Sequence, residues 1–186
     1  MKRRRFNPAT LNPRTLTRMT PKKLAALILS LLLALGYSFL EGRMGDTLQG
    51  TVTRVVDGDT VVVNVEGTER RVRLLGVDTP ETVHPKKPVQ YYGKEASNFT
   101  KTSLLGRQVW LEYDAAPLDK YQRHLAYIWL EKPERDEAAV RRGMFNARLL
   151  LEGYAEVLTI QPNSRYSELF TEFQQEARRA RRGLWK

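Results

Sequence analysis

The sequence predicts an α+β fold: a small barrel of five short strands with about three helices packed on it, preceded by an N-terminal hydrophobic helix. Three observations predict it. Five short runs, rich in Val and Thr or alternating charged with apolar residues, lie between Asp, Gly and Pro turn signals. Three other segments repeat their apolar residues at helical spacing. Residues 24–40 carry no charge at all. A five-stranded sheet has edges to hide, and closing on itself hides them.

In chain order, residues 1–23 are basic, polar and broken by proline, and read as a disordered leader. Residues 24–40 follow. As a helix, this run would be roughly 26 Å long at 1.5 Å per residue, against about 30 Å for a hydrocarbon core. An uncleaved transmembrane anchor and a cleaved signal peptide, with Ala34-Leu35-Gly36 as its small-residue site, both fit, and a buried soluble helix is the third reading. In the first two, the basic leader stays cytoplasmic and the rest of the chain lies outside the cytoplasmic membrane. The alternatives in localisation are therefore membrane-anchored, or secreted after cleavage near Gly36. Residues 41–50 read as a polar linker to a folded domain at 51–186.

The domain opens on a meander. Thr51 to Val56 and Thr60 to Val65 flank Asp57-Gly58-Asp59, and Glu66-Gly67 turns the chain again. Between Glu69 and Leu75, Val72 and Leu74 face one way, Arg71 and Arg73 the other. Residues 76–88 read as a loop, because Pro80, Pro85 and Pro88 break any regular structure. Lys94 to Leu105 reads as a helix stopped by Gly106, with Ala96, Phe99 and Leu104 buried. Strands follow at 108–113 and 125–130. The charged connection 131–143 has no clear period. Helices at 144–151 and 166–182 complete the domain, with Gly183 as a stop after which Leu184 and Trp185 fold back.

Composition limits the chemistry. There is no cysteine, so disulfides, thiolate metal sites and thiol nucleophiles are excluded. Only two histidines are present, which argues against a zinc site of several imidazoles. The net charge of +10 suggests a polyanionic partner, but eight of the 31 Lys and Arg fall in residues 1–40, which hold no acid. The domain itself is close to neutral, so nucleic acid would have to be held by placed arginines.

Two acidic turns, DGD at 57–59 and DTPE at 78–81, stand about twenty residues apart. Each alone reads as an ordinary turn. Together, Asp59, Asp78 and the Thr79 carbonyl make a set of hard oxygen donors suited to calcium or magnesium. Glu81 is then a third carboxylate beyond the ligand set, able to activate water, and Arg73 meets an anion with its fork. That combination fits phosphodiester cleavage.

VVDGDT at 55–60, RLLGVDTPE at 73–81, HPKKPVQYYGKEAS at 84–97 and DKYQRHLAYI at 119–128 resemble, in order, the staphylococcal nuclease family. The resemblance runs from about Thr51 to Trp185. It implies an OB-type five-stranded barrel and calcium-dependent hydrolysis of DNA and RNA, single-stranded or frayed, leaving 3′-phosphate ends. It implies calcium held by the Asp59 and Asp78 side chains and the Thr79 carbonyl, with Glu81 as general base. Arg73 and Arg123 would hold the phosphate and its transition state. Lys120 and Tyr121 would lie near the nucleotide phosphate, and Lys86 and Lys87 beside the site, with Asp57 supporting the ligands from behind and the protein a monomer. A guanidinium with a pKa above 12 donates protons poorly near neutrality, so Arg123 is expected to stabilise charge and not to act as general acid. Arg73→Lys is expected to lose most activity while folding normally, since lysine keeps the charge but not the fork. The alternative reading is a non-catalytic nucleic-acid or protein binding module on the same barrel.

The chain departs from the family in places. Gln122 and His124 flank Arg123 where many relatives carry glycine, and Leu158 and Ile160 stand where many carry tyrosines that cradle the nucleotide. His124 is expected at the surface or a strand edge, with crowding of the site or a proton-donor role as the alternatives.

Overall fold

The computed structural model describes residues 26, 28, 30, 47–82, 88–134 and 136–186. Two units divide the chain, Met1–Arg43 and Met44–Lys186. In the first, Ala26, Ile28 and Ser30 are helical and exposed. The remainder of the leader and of the 24–40 segment lies outside the described residues, as do positions 41–46 of the linker. Among the described residues, no helix is long and apolar enough to cross a membrane.

The second unit is built on strands β1 (Thr47–Asp57), β2 (Thr60–Val65), β3 (Thr68–Leu74), β5 (Gln108–Leu118) and β6 (His124–Trp129), with β4 (Gly76–Asp78) and β7 (Glu156–Leu158) outside the barrel. The five form a closed barrel in the order β1-β2-β3-β6-β5, the OB-type arrangement that the resemblance implies. β1 makes closure possible. Its first residues, Thr47 to Thr51, pair antiparallel with β5, and Thr51 to Asp57 pair with β2. Register shifts between Val52 and Arg54 and between Val55 and Asp57 bend it from one neighbour to the other. The ring is completed by parallel pairing of β3 with β6, Val72 opposite His124 and Leu74 opposite Ala126. Inside lie Val52, Val61, Val63, Val72, Leu74, Val109, Leu111 and Ile128, all buried.

Four helices pack on the barrel among the described residues: α1 (Gly93–Leu104), α2 (Glu137–Gly143), α3 (Phe145–Leu151) and α4 (Ser167–Arg179). α2 is one more than expected. The 131–143 connection hides it because seven residues are too few for a clear period; Asp136 caps it, accepting from the Ala139 N–H at 3.0 Å. The linker is shorter than 41–50, because its last four residues already pair with β5. After α4, Gly183–Trp185 form a 3-10 turn whose Leu184 N–H donates to the Gly153 carbonyl at 2.8 Å.

Three polar ties fix the parts that matter for function. Thr100 of α1 donates its hydroxyl to the Gly58 carbonyl at 2.6 Å, holding the β1–β2 turn. Asn146 of α3, fully buried, donates to the Leu75 carbonyl at 2.8 Å and accepts from the Ile128 N–H at 2.9 Å, joining the end of β3 to β6. Buried Glu112 of β5 accepts from the Trp129 indole at 2.8 Å, from Arg165 at 2.7 Å and from the Tyr166 hydroxyl at 3.0 Å. That network anchors the start of α4 to the barrel wall.

Candidate active site

The loop after β3 leaves the barrel through Gly76, whose φ of 75° suits glycine. The Phe170 ring of α4 lies where a side chain on residue 76 would go, 2.5 Å from an added Cβ. The chain then runs as β4, paired with β7 through Gly76–Leu158, Val77–Val157 and Asp78–Glu156. This two-stranded pairing replaces the first part of the loop expected over 76–88. It carries the second acidic turn back against the first. Gly58 is the point of contact: an added Cβ there would stand 2.6 Å from the Thr79 hydroxyl oxygen. Glycine is therefore required for the two turns to touch, whatever its role in the hairpin.

Asp57, Asp59, Arg73, Asp78, Thr79, Glu81 and Arg123 line one cleft of about 300 Å³. Arg73 organises it. Its side chain is 8% exposed. Nη2 bonds Asp78 Oδ1 at 2.8 Å and Asp59 Oδ2 at 3.2 Å, so one nitrogen draws the two turns together. Nη1 donates to the Leu74 and Val77 carbonyls at 2.8 and 2.7 Å. Asp59 also accepts from the Thr79 N–H at 3.1 Å and from the Thr60 hydroxyl at 3.0 Å. The Arg73 guanidinium thus shapes the loop as well as presenting charge.

Asp57 ties the loop from the other side, accepting from the Gly58 N–H at 2.8 Å, the Thr82 hydroxyl at 2.6 Å and the Thr82 N–H at 3.3 Å. Burial pushes its carboxyl above the ordinary aspartate value; Thr82 opposes that and the nearby Glu81 adds to it. The Glu81 backbone is held in both directions by Gln90. Its N–H donates to Gln90 Oε1 at 2.8 Å and its carbonyl accepts from the Gln90 N–H at 3.0 Å.

Arg123 enters from the turn before β6. Asp119 positions it: Nε donates to Oδ2 at 2.7 Å and the Arg123 N–H to Oδ1 at 2.9 Å. Burial alone would raise the Asp119 carboxyl. The bonds from the Arg123 backbone and guanidinium and from the Tyr121 N–H outweigh it and hold the pKa below the usual value. A carboxylate lowered on folding stabilises the native state above its unfolded pKa, about 3.9, and that contribution is lost as the pH falls through the folded value. Asp119→Asn should therefore flatten the acid limb of stability below about pH 4. Urea midpoints against pH measure it, and equal slopes in the two proteins would refute the expectation.

Tyr121 stands outside the cleft, 67% exposed, with the Lys120 ammonium 5.0 Å and the Arg123 guanidinium 5.5 Å from its ring centre. Lys86 and Lys87 lie outside the described residues. His124 does not line the cleft: its Nδ1 is 3.0 Å from the Tyr113 hydroxyl, and burial and then Arg70 lower its pKa. It is the first residue of β6, half-buried and paired with both Val72 and Leu118 in the closed barrel, and so not at the open strand edge expected. Leu158 is an exposed residue of β7. Four cleft residues went unselected from sequence, Val56, Thr60, Arg71 and Gln90. Arg71 had a signal, the alternation that sets it beside Arg73. Val56, Thr60 and Gln90 had none.

No group of three or more His, Cys, Asp and Glu able to hold a metal occurs among the described residues. The donors lining the cleft come from Asp57, Asp59, Asp78, Thr79 and Glu81, and of the carboxylates Asp59 and Asp78 share one guanidinium nitrogen. All are hard oxygens, which fit calcium and not a soft metal.

A family model described as staphylococcal nuclease homologue matches residues 71–186. The thermonuclease of Staphylococcus intermedius is 49% identical over 135 residues, 73% of this chain and 74% of that protein. That of Staphylococcus hyicus is 45% identical over 134 residues, 72% of this chain and 73% of the relative. Endonuclease YncB of Bacillus subtilis (strain 168) is 36% identical over 137 residues, covering 73% of this chain and 60% of the relative. With a family match over most of the folded unit and relatives almost half identical, the chain belongs to the staphylococcal nuclease family.

Proposed function

We propose that this nuclease hydrolyses DNA and RNA by calcium-dependent attack of water on phosphorus, breaking the P–O5′ bond and leaving 3′-phosphate ends. The observation that carries the reading is the convergence of Asp59, Asp78, Glu81, Arg73 and Arg123 on one cleft. Asp59, Asp78 and the Thr79 carbonyl are assigned to calcium, which when bound supplies a Lewis acid at the phosphoryl oxygen. Glu81 takes the proton of the attacking water. Arg73 and Arg123 hold the charge that builds on the phosphoryl oxygens and the departing 5′-oxygen, which takes its proton from solvent. Asp119 aims Arg123 at that position.

The full chain in mild detergent should cut single-stranded DNA in millimolar calcium and not in excess chelator. Calcium should also raise Tm in wild type but not in Asp59→Asn, because a ligand that binds only the native state stabilises it. Binding of DNA with no calcium-dependent cleavage would overturn the enzyme reading in favour of a binding module.

A site with so few protein ligands suits the 10⁻⁴ to 10⁻³ M calcium range of extracellular modules, roughly. We therefore assign the domain, as a monomer, to the outside of the cytoplasmic membrane, anchored by residues 24–40 or released after cleavage near Gly36. Protease added to intact cells should remove the domain, and its protection there would contradict the assignment. The N-terminal residue of the mature protein separates anchor from signal.

A further inference from the structure

We propose that Arg71 binds a second phosphodiester of the substrate strand, next to the one that is cut. The inference rests on the reading of the cleft as the cutting site and adds a subsite to it. Arg71 lines the catalytic cleft and also an adjoining concavity of about 340 Å³, whose other walls are Tyr121, Gln122 and Arg123. The two hollows share Arg71 and Arg123, so they are neighbours along a surface path bordered by these two side chains.

The three arginines on this path differ in what they already hold. Arg73 is committed to Asp59 and Asp78, and Arg123 to Asp119. Arg71 is exposed, and among the described residues it has no carboxylate or hydrogen-bond partner. Its charge is the unneutralised one on the path, which is what an incoming anion meets first. Position supports the same assignment. Arg71 and Arg73 are two residues apart on β3, which puts their Cα atoms roughly 6.6 Å apart at 3.3 Å per residue, with both side chains on one face. That step is close to the separation of successive phosphates along a nucleic-acid strand. With Arg73 at the scissile phosphate, Arg71 is set one phosphate along. An exposed guanidinium there forks to phosphate oxygens. It adds affinity and salt dependence, with no contact to the reacting atoms.

The test compares a thymidine dinucleotide, with its single phosphodiester, and a longer oligothymidylate, using the full chain in detergent with calcium. In Arg71→Thr, KM for the oligonucleotide should rise about tenfold more than KM for the dinucleotide, as expected for loss of one charged hydrogen-bond contact. Anisotropy of a labelled oligothymidylate should show the slope of log K against log salt shallower by about 0.7, the loss of one phosphate contact on a single strand. Arg71→Lys should recover most of that slope, because it keeps the charge. Equal KM changes on the two substrates would place Arg71 at the cut phosphate and overturn the proposal, and so would an unchanged salt slope. If wild type cuts neither substrate, the functional reading itself fails, while the binding slope still decides for or against the subsite.

Discussion

Glu81→Gln should lower kcat by about 10²- to 10⁴-fold, the range for loss of a positioned general base, with little change in folding. Backbone hydrogen bonds support that separation. Residue 81 is held through its N–H and carbonyl by Gln90, at 2.8 and 3.0 Å, and the side-chain contact with Asp57 is one that an amide can keep. Glutamine keeps the length and polarity of glutamate and removes only the basic oxygen. Calcium is assigned to Asp59, Asp78 and Thr79, so the calcium-induced rise in Tm should survive. Single-turnover cleavage of single-stranded DNA at saturating calcium is the measurement. A variant within a fewfold of wild type would remove Glu81 from the mechanism and leave the water without an assigned base.

Arg73→Lys should have the second large effect, and it should be double. Losing a donor aimed at developing charge costs about 2.7–4 kcal/mol of barrier, or 10²- to 10³-fold in kcat. Sequence alone led to the expectation that this variant folds normally. The geometry revises that part. Arg73 is buried and spans two carboxylates and two carbonyls of the loop it supports. An ammonium has three donors on a single atom and cannot reach both pairs. The lysine variant should therefore lose about 1–3 kcal/mol of stability, the cost of buried acceptors left unsatisfied. Arg73→Ala should lose more, about 3–5 kcal/mol, because it strands Asp59 beside no counter-charge. Urea melts and kcat measured on the same preparations check both effects. A lysine variant with wild-type stability and activity would show that the charge alone suffices.

Much of this protein could be read in advance, for local reasons. The meander, α1 and the last helix announce themselves through period and turn chemistry, which involve neighbours in sequence. The acidic turns were visible as residues, and the family resemblance supplied their roles. α2 escaped because it is short and charged. β4 and β7 escaped because three residues of strand have no period of their own; each exists through pairing with the other, some eighty residues away.

By itself, then, the sequence determined the strands of the barrel, the helices long enough to repeat, the two acidic turns and the arginine between them. Tertiary structure decided how those parts act together. It brought Thr79 against Gly58, made Arg73 the shared partner of Asp59 and Asp78, and set Gln90 behind Glu81 and Asp119 behind Arg123. It also left Arg71, among the described residues, without an ion-pair partner at the rim, although alternation had already put it on the same face. The physical reason is range. Hydrophobic period and turn preference act over a few residues. A side chain's partner and burial depend on which distant segment closes over it, and here that is settled when the barrel closes.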